Sequence, residues 1–289
     1  MSPLANVASP ALVGCDFSSA PSRRKPIVLA LGALSSECVQ LSSLAYFASL
    51  AEFSQWLAAP TAWVGAFDLP FGLPRELVQH LGWPLDWLAC MHHYASLSRA
   101  DIRAQFAAFC AARTPGGKFA HRATDRPAGA SPSMKWVNPP VAYMLHAGVQ
   151  LLLQSGVSLP GLHTTTPSLP HDMQRIALEA YPGMLAREVL GRRSYKSDRL
   201  AGHTADRLIA RKDLITALED DNTRFGPGLR LKLSHAQRDL LADDARGDRL
   251  DAVLCLMQAA WAQQKFEQGD KNYGLPADMD PLEGWIVGA

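Results

Sequence analysis

The sequence predicts an α/β domain spanning residues 1–289, a sheet flanked by helices with a large helical insertion over residues 71–170. Three observations predict it. Short apolar runs of strand length crowd the first third of the chain, and another follows the insertion. The middle third carries apolar residues at helical spacing between segments rich in Gly and Pro. Three of the apolar runs close on an acidic residue, namely Asp16, Asp68 and Glu179.

Residues 11–17 are a short apolar run stopped by the turn residues Ser18, Ser19 and Pro21. Residues 26–34, with Ile27, Val28, Leu29 and Leu31, form a second strand, and residues 37–41, reached through Ser35 and Ser36, a third. Such close spacing predicts antiparallel hairpins. Over residues 43–58, Leu44, Phe47, Leu50, Ala51 and Trp56 recur near the helical period, and Pro60 ends the helix they predict. Residues 61–67 are continuously apolar, as in a central strand buried on both faces.

Within the insertion, helices are predicted over 85–97 and 98–112, the second opened by Ser98 with Asp101 three residues on. A Gly-, Pro- and Ser-rich stretch over 114–132 precedes a third helix at 141–154, which stops at Gly156. Residues 161–170 read as a turn-rich return, 172–180 as a strand, and 182–190 as a helix opened by Pro182. Further helices are expected over 204–218, from Ser234 with its partner Gln237, and over 248–266. In the last, Leu250, Val253, Leu254, Met257 and Trp261 share one face. Asp248, Ala252, Cys255 and Ala259 share another, built of small residues, so burial on two sides is expected.

Composition narrows the function. A chain of 289 residues buries roughly three quarters of its unfolded surface. At 48% hydrophobic and 19% charged it is not a disordered chain. The formal net charge of +1 excludes a strongly basic nucleic-acid coat, so affinity for nucleic acid has to come from local patches. Three are visible: Arg23, Arg24 and Lys25; Lys118, His121, Arg122, Arg126 and Lys135; and Arg192, Arg193, Lys196 and Arg199. Each gains functional weight only where it borders the acidic residues. Five cysteines, an odd number with no Cys-x-x-Cys pair, read as reduced core thiols in a reducing compartment, hence the cytoplasm. Residues 1–10 lack the basic start and apolar run of a signal peptide. No stretch approaches the roughly 18 apolar residues of a membrane span, so no membrane association is expected. The sequence specifies no oligomeric state.

The acidic residues carry the functional reading. A carboxylate closing a buried strand is costly unless it is paired, protonated or metal-bound. Asp248 and Asp251 are three apart and face one side of their helix start. Asp16, Asp68, Asp251, Asp248 and Glu179 are therefore the candidate catalytic residues. All-oxygen donors suit Mg²⁺ or Mn²⁺, and a pair of such ions serves phosphodiester hydrolysis. Lys196, or Lys118 and Arg122, would then hold substrate phosphate. Each acid also has a local reading: Asp16 in a turn with Ser18 and Ser19, Asp68 before Pro70, Asp248 as a helix cap, and Glu179 paired with an arginine such as Arg187. Glycine-rich phosphate loops, His-Glu-x-x-His and Gly-x-Ser-x-Gly are absent. Phe71, Trp83 and Trp87 read as core aromatics in preference to a base-stacking surface.

Five segments together carry a family resemblance. They are Gly14-Cys15-Asp16-Phe17-Ser18, Phe67-Asp68-Leu69-Pro70-Phe71-Gly72-Leu73-Pro74, Glu179-Ala180-Tyr181-Pro182 with Tyr195-Lys196, Asp248-Arg249-Leu250-Asp251-Ala252, and Glu283-Gly284-Trp285-Ile286. In this order they resemble the family called domain of unknown function 429, predicted nucleases of the RNase H-like fold. The helix start Asp248-x-x-Asp251-Ala252 is also similar to that of RuvC-type resolvases. The resemblance implies a mixed five-stranded sheet whose first three strands are antiparallel. It implies metal-ligand roles for Asp16, Asp68 and Asp251, with Asp248 or Glu179 as a fourth, and a nucleic acid or nucleotide as substrate. The long insertion after Asp68 departs from the minimal fold. Two rivals remain: a non-catalytic scaffold of this fold binding nucleic acid or protein, and a nucleotide-binding phosphotransferase, for which the turn after Asp16 lacks glycines.

Overall fold

The structure, a computed structural model, describes residues 10–36, 38–114, 117–164, 174–225 and 228–289. Expectations for residues 1–9, Glu37, 165–170 and the start of the 172–180 strand lie outside these. The chain opens with β1 (Ala11–Asp16), β2 (Ile27–Ser35) and β3 (Cys38–Phe47), followed by α1 (Leu50–Ala58) and β4 (Trp63–Phe67). Between β4 and β5 (Arg175–Glu179) lie α2 (Arg75–His80), α3 (Trp87–Ser96), α4 (Arg99–Ala111), α5 (Asp125–Ala128) and α6 (Val141–Ser155). Then come α7 (Pro182–Leu190), α8 (Ala205–Glu219), β6 (Arg230–Lys232), α9 (His235–Ala242) and α10 (Asp248–Glu267).

The strands form one mixed sheet in the order β5-β4-β1-β2-β3-β6. β1, β2 and β3 are antiparallel neighbours, as their close spacing predicts, while β4 runs parallel to β1 and β5 parallel to β4. Six strands correct the expected five. β6 is three residues long and pairs parallel with β3 at the sheet edge. Its Arg-Leu-Lys run has one buried side chain, Leu231, too little for a readable alternation. The helix expected over 43–58 is corrected too. β3 runs on to Phe47, opposite Ile27, and the helix starts only at Leu50, where the Ser49 hydroxyl accepts from the Glu52 amide. Leu44 and Phe47 are three apart, a spacing that mimics a helix when read without the pairing partner.

Two apolar layers cover the sheet. Leu12, Val28, Val64, Ile176 and Leu178 face one way and pack with α7, α8, α9 and α10. Val13, Cys15, Leu29, Trp63, Phe67 and Ala177 face the other and pack with α1, α2, α3, α4 and α6. The segment between β4 and β5 therefore supplies most of the helices of the second layer. Ser98 and Asp101 form the expected capping box, as do Ser234 and Gln237. Two short helices, α2 and α5, join the three expected there. Four of the five cysteines are buried, and all five are free thiols. Among the described residues, no helix is long and apolar enough to cross a membrane.

Helix α10 is the central buried element. Ala252, Cys255 and Ala259 are fully buried, and Cys255 and Ala259 cluster with Ala66 of β4 and Ala180 just past β5. The small-residue face thus meets the sheet, as expected. Closest approach is at Gly14, where an added Cβ would lie 2.1 Å from both the Ala252 carbonyl oxygen and the Leu256 nitrogen. Both obstacles are backbone, so α10 itself would have to move. Alanine at Gly14 is expected to cost about 1–3 kcal/mol or more. A fall in the urea midpoint at unchanged slope checks this.

Candidate active site

The sheet register brings two of the acids together. β1 and β4 lie side by side with Cys15 opposite Phe67. Asp16 and Asp68 are each one residue further on, so they leave the sheet centre at the same level. The Asp68 amide donates to the Cys15 carbonyl at 2.8 Å, which fixes that level. Side chains alternate along a strand. Val13 and Cys15 face the insertion, so Asp16 faces α10; Phe67 faces the insertion, so Asp68 also faces α10.

The third and fourth acids come from the start of α10. Gly247, at φ +80°, turns the chain into the helix, and Asp248 and Asp251 occupy its first turn. A helix N-terminus favours negative charge. Asp251 is 1% exposed. Its two carboxylate oxygens accept from the Tyr195 hydroxyl and the Lys196 ammonium. Asp248 is half-buried. The four aspartates line one open cleft of about 600 Å³ together with Lys25, Lys196, Ser197, Asp198 and Arg246. Its far wall is Asn138, Pro139 and Pro140 with Met144 of α6, so the insertion borders the site.

The electrostatics are those of crowded carboxylates. Burial, then the charges of Asp251, Asp68 and Asp248, push Asp16 well above the usual carboxylate range, against the pull of Lys196. Burial and Asp251 raise Asp68 to about 7. Burial and Asp244 raise Asp248 to about 6, opposed by Lys25. Burial alone would lower Lys196, but Asp251, Tyr195 and Asp16 hold it well above its ordinary value. Burial and mutual repulsion thus favour the protonated forms of Asp16, Asp68 and Asp248. Among the described residues, no group of three His, Cys, Asp or Glu side chains is placed so that it could hold a metal ion. Asp251 is turned to Tyr195 and Lys196 instead.

Glu179 does not line this cleft, but it lines an adjoining cavity of about 320 Å³ that shares Asp68 and Lys196 with it. In the register it sits opposite Phe67, one residue short of the Asp16 and Asp68 level, and so faces the insertion. Ala180 takes the position facing α10. Glu179 is 3% exposed and is gripped by Arg122, whose Nη2 lies 2.6 Å from its Oε1 and whose Nη1 lies 2.8 Å from its Oε2. The Phe71 amide donates to the same carboxylate at 2.8 Å. An arginine does pair with Glu179, as its local reading expects, but the partner is Arg122, not Arg187. Arg187 donates to the carbonyls of Ala128 and Gly129.

Arg122 is corrected with it. Its guanidinium is 2% exposed and fully occupied by Glu179, Asp125 and the Glu283 carbonyl, which leaves no donor for substrate phosphate. Lys118 stands over the Phe119 ring and does not line the aspartate cleft. Lys196 does line it. Phe71, Trp83 and Trp87 are buried, and the Trp87 indole donates to the Phe71 carbonyl at 2.8 Å, as core aromatics should. The segments Phe71-Gly72-Leu73-Pro74 and Glu283-Gly284-Trp285-Ile286 dock on each other. A Cβ at Gly72 would lie 2.4 Å from the Glu283 carbonyl oxygen, and the Glu283 carboxylate accepts from the Arg75 and Ala123 amides at 2.8 Å. These motif residues are scaffold.

Arg246, at the cleft, and Tyr46, in the groove beside it, carried no readable signal in the sequence. Their placement depends on the turn before α10 and on the true length of β3. Of the three basic groups, two reach the aspartate cleft: Lys25 and Lys196 line it. No protein-family model, no curated protein and no solved structure matches the chain.

Proposed function

We propose that the protein is a Mg²⁺- or Mn²⁺-dependent phosphodiester hydrolase acting on nucleic acid, built on an RNase H-like sheet. The observation that carries this reading is the convergence of Asp16, Asp68, Asp248 and Asp251, from three separate elements, on one open cleft beside Lys196. The strand order and the antiparallel start of the sheet support the fold reading, as do the motif segments quoted above. In this reading Asp16, Asp68 and Asp251 hold the cation, with Asp248 beside them. The bound ion supplies charge neutralisation at the phosphate and a more acidic water. Lys196 and Lys25 attract the non-bridging phosphate oxygens. Tyr195 fixes the Asp251 carboxylate through its hydroxyl. Free, mostly buried cysteines fit a reducing compartment, the cytoplasm.

The test is Mn²⁺ titration by calorimetry on the wild type and on Asp16→Asn, followed by cleavage assays on labelled oligonucleotides. Saturable binding and cleavage, both abolished in Asp16→Asn, are expected. Mn²⁺ binding that survives this substitution would move the site elsewhere. A folded wild type that neither binds Mn²⁺ nor cleaves any oligonucleotide would favour the non-catalytic scaffold.

A further inference from the structure

Two arginine clusters flank the aspartate cleft, and each shares wall residues with it. On one side a groove of about 490 Å³ is lined by Arg23, Arg24, Arg246 and Arg249 with the ring of Tyr46, and it shares Arg246 and Asp248 with the cleft. On the other side Arg199, Arg207 and Arg193, which pairs with Asp213, line an open hollow of about 590 Å³ with one acid, Asp206, and the hollow shares Ser197 with the cleft. The surface thus reads basic, acidic, basic along one continuous path. Apart from Asp248, the acids in the first groove are turned to backbone. Glu52 accepts from the Ala48 amide at 2.8 Å and Asp244 from the Arg249 amide at 2.9 Å. Arg23, Arg24 and Arg199 make no ion pair among the described residues.

Tyr46 adds a second kind of contact. It is 46% exposed on β3, and Arg249 steadies it, with Nε 3.0 Å from the hydroxyl and the guanidinium 5.8 Å from the ring centre. A bulky aromatic left exposed in an arginine-lined groove is a platform on which an unpaired base stacks. A duplex keeps its bases paired and stacked and cannot use it. Phosphates alone would need only the arginines.

We propose that a single strand of nucleic acid crosses the whole path, its backbone held by the arginines on both sides and one base stacked on Tyr46, so that an internal bond lies over the aspartates. The placement of a scissile bond over the aspartates rests on the hydrolase reading; the binding itself needs no metal. A mononucleotide would leave both arginine clusters unused.

The experiment is fluorescence anisotropy of a labelled 15-nucleotide strand, DNA and RNA in turn, in EDTA across a salt series. The variants are Arg23→Glu with Arg24→Glu, Tyr46→Ala, Arg199→Glu, and Arg103→Glu as an exposed charge control on α4. The wild type should bind with a steep salt dependence. The Arg23/Arg24 double variant should flatten the slope by about 1.4, since each phosphate neutralised on a single strand adds about 0.7 to it. Tyr46→Ala should weaken binding roughly tenfold with the slope unchanged. Arg199→Glu should weaken it from the other side, and Arg103→Glu should have little effect. Wild-type affinity in all three path variants, equal weakening in Arg103→Glu, or no binding at low salt would each overturn the proposal. Strand binding without metal-dependent cleavage would overturn the hydrolase reading and leave this one standing. Cleavage of a dinucleotide without strand binding would do the reverse. With Mg²⁺ or Mn²⁺ added, a circular strand, which has no ends, should be cut as readily as a linear one.

Discussion

Replacing Asp68 with asparagine is expected to stabilise the metal-free protein at pH 8 by on the order of 2–4 kcal/mol, while removing the function proposed for the cleft. Asp68 titrates near 7 in the folded chain because burial and Asp251 oppose its charge, against an ordinary value of 3.8. A carboxyl raised by folding binds its proton more tightly in the native state than in the unfolded chain. Its contribution is therefore present in full below about pH 4 and is lost as pH rises to about 7, after which stability is level. Thermal unfolding in EDTA from pH 4 to pH 8 should show a decline that steepens where Asp16 and Asp248 also ionise, since both are raised. Asparagine carries no charge, so the Asp68→Asn decline should be shallower. Added Mn²⁺ should restore wild-type stability at pH 8, by about 2.7 kcal/mol at a hundred times its dissociation constant, and should do little for the variant. A metal-free wild type as stable at pH 8 as at pH 5 would show that the cleft's charges are already balanced by its lysines.

What could be read from the chain and what could not divide along a physical line. Strand runs at 11–17, 26–34 and 61–67 are legible because burial on both faces makes them continuously apolar. The burial of α10 is legible from Ala252, Cys255 and Ala259. Asp16, Asp68 and Asp251 can be grouped because strand ends and a helix start are rigid places to put a costly charge. Glu179 is misplaced by the sequence because its facing depends on register, and one residue along a strand reverses the face. The alternation of Ile176, Leu178 and Ala180 against Ala177 and Glu179 contains the answer, but only once β4 is laid beside β5. Arg122 is misread for the same reason. One member of a basic patch in a Gly- and Pro-rich loop looks free for phosphate, and the two acids that bury it are three and 57 positions away. The arginine groove is half legible: Arg23 and Arg24 are visible as a basic pair, but nothing local ties them to Arg246 or to Tyr46.

Alanine at Glu179 tests that redrawn boundary, because it should damage the fold and not the cleft. The Arg122 guanidinium would keep Asp125 and lose its bidentate partner at a site where all three side chains are 3% exposed or less. Removing one member of a buried ion pair costs about 3–5 kcal/mol, because the remaining charge is left uncompensated. The Phe71 amide would also lose its acceptor, which loosens the segment that leads from Asp68 into the insertion. For a chain of this size the loss corresponds to a fall in melting temperature on the order of 10 °C. Replacing both members, Arg122→Met with Glu179→Leu, should be less damaging than the sum of the single changes, since Arg122 and Glu179 no longer strand each other and Asp125 alone is left unpaired. Thermal unfolding of the three variants measures the coupling. The opposite pattern, an unchanged melting temperature with Mn²⁺ binding abolished in Glu179→Ala, would return Glu179 to the metal ligands and with it the facing of the β5 strand.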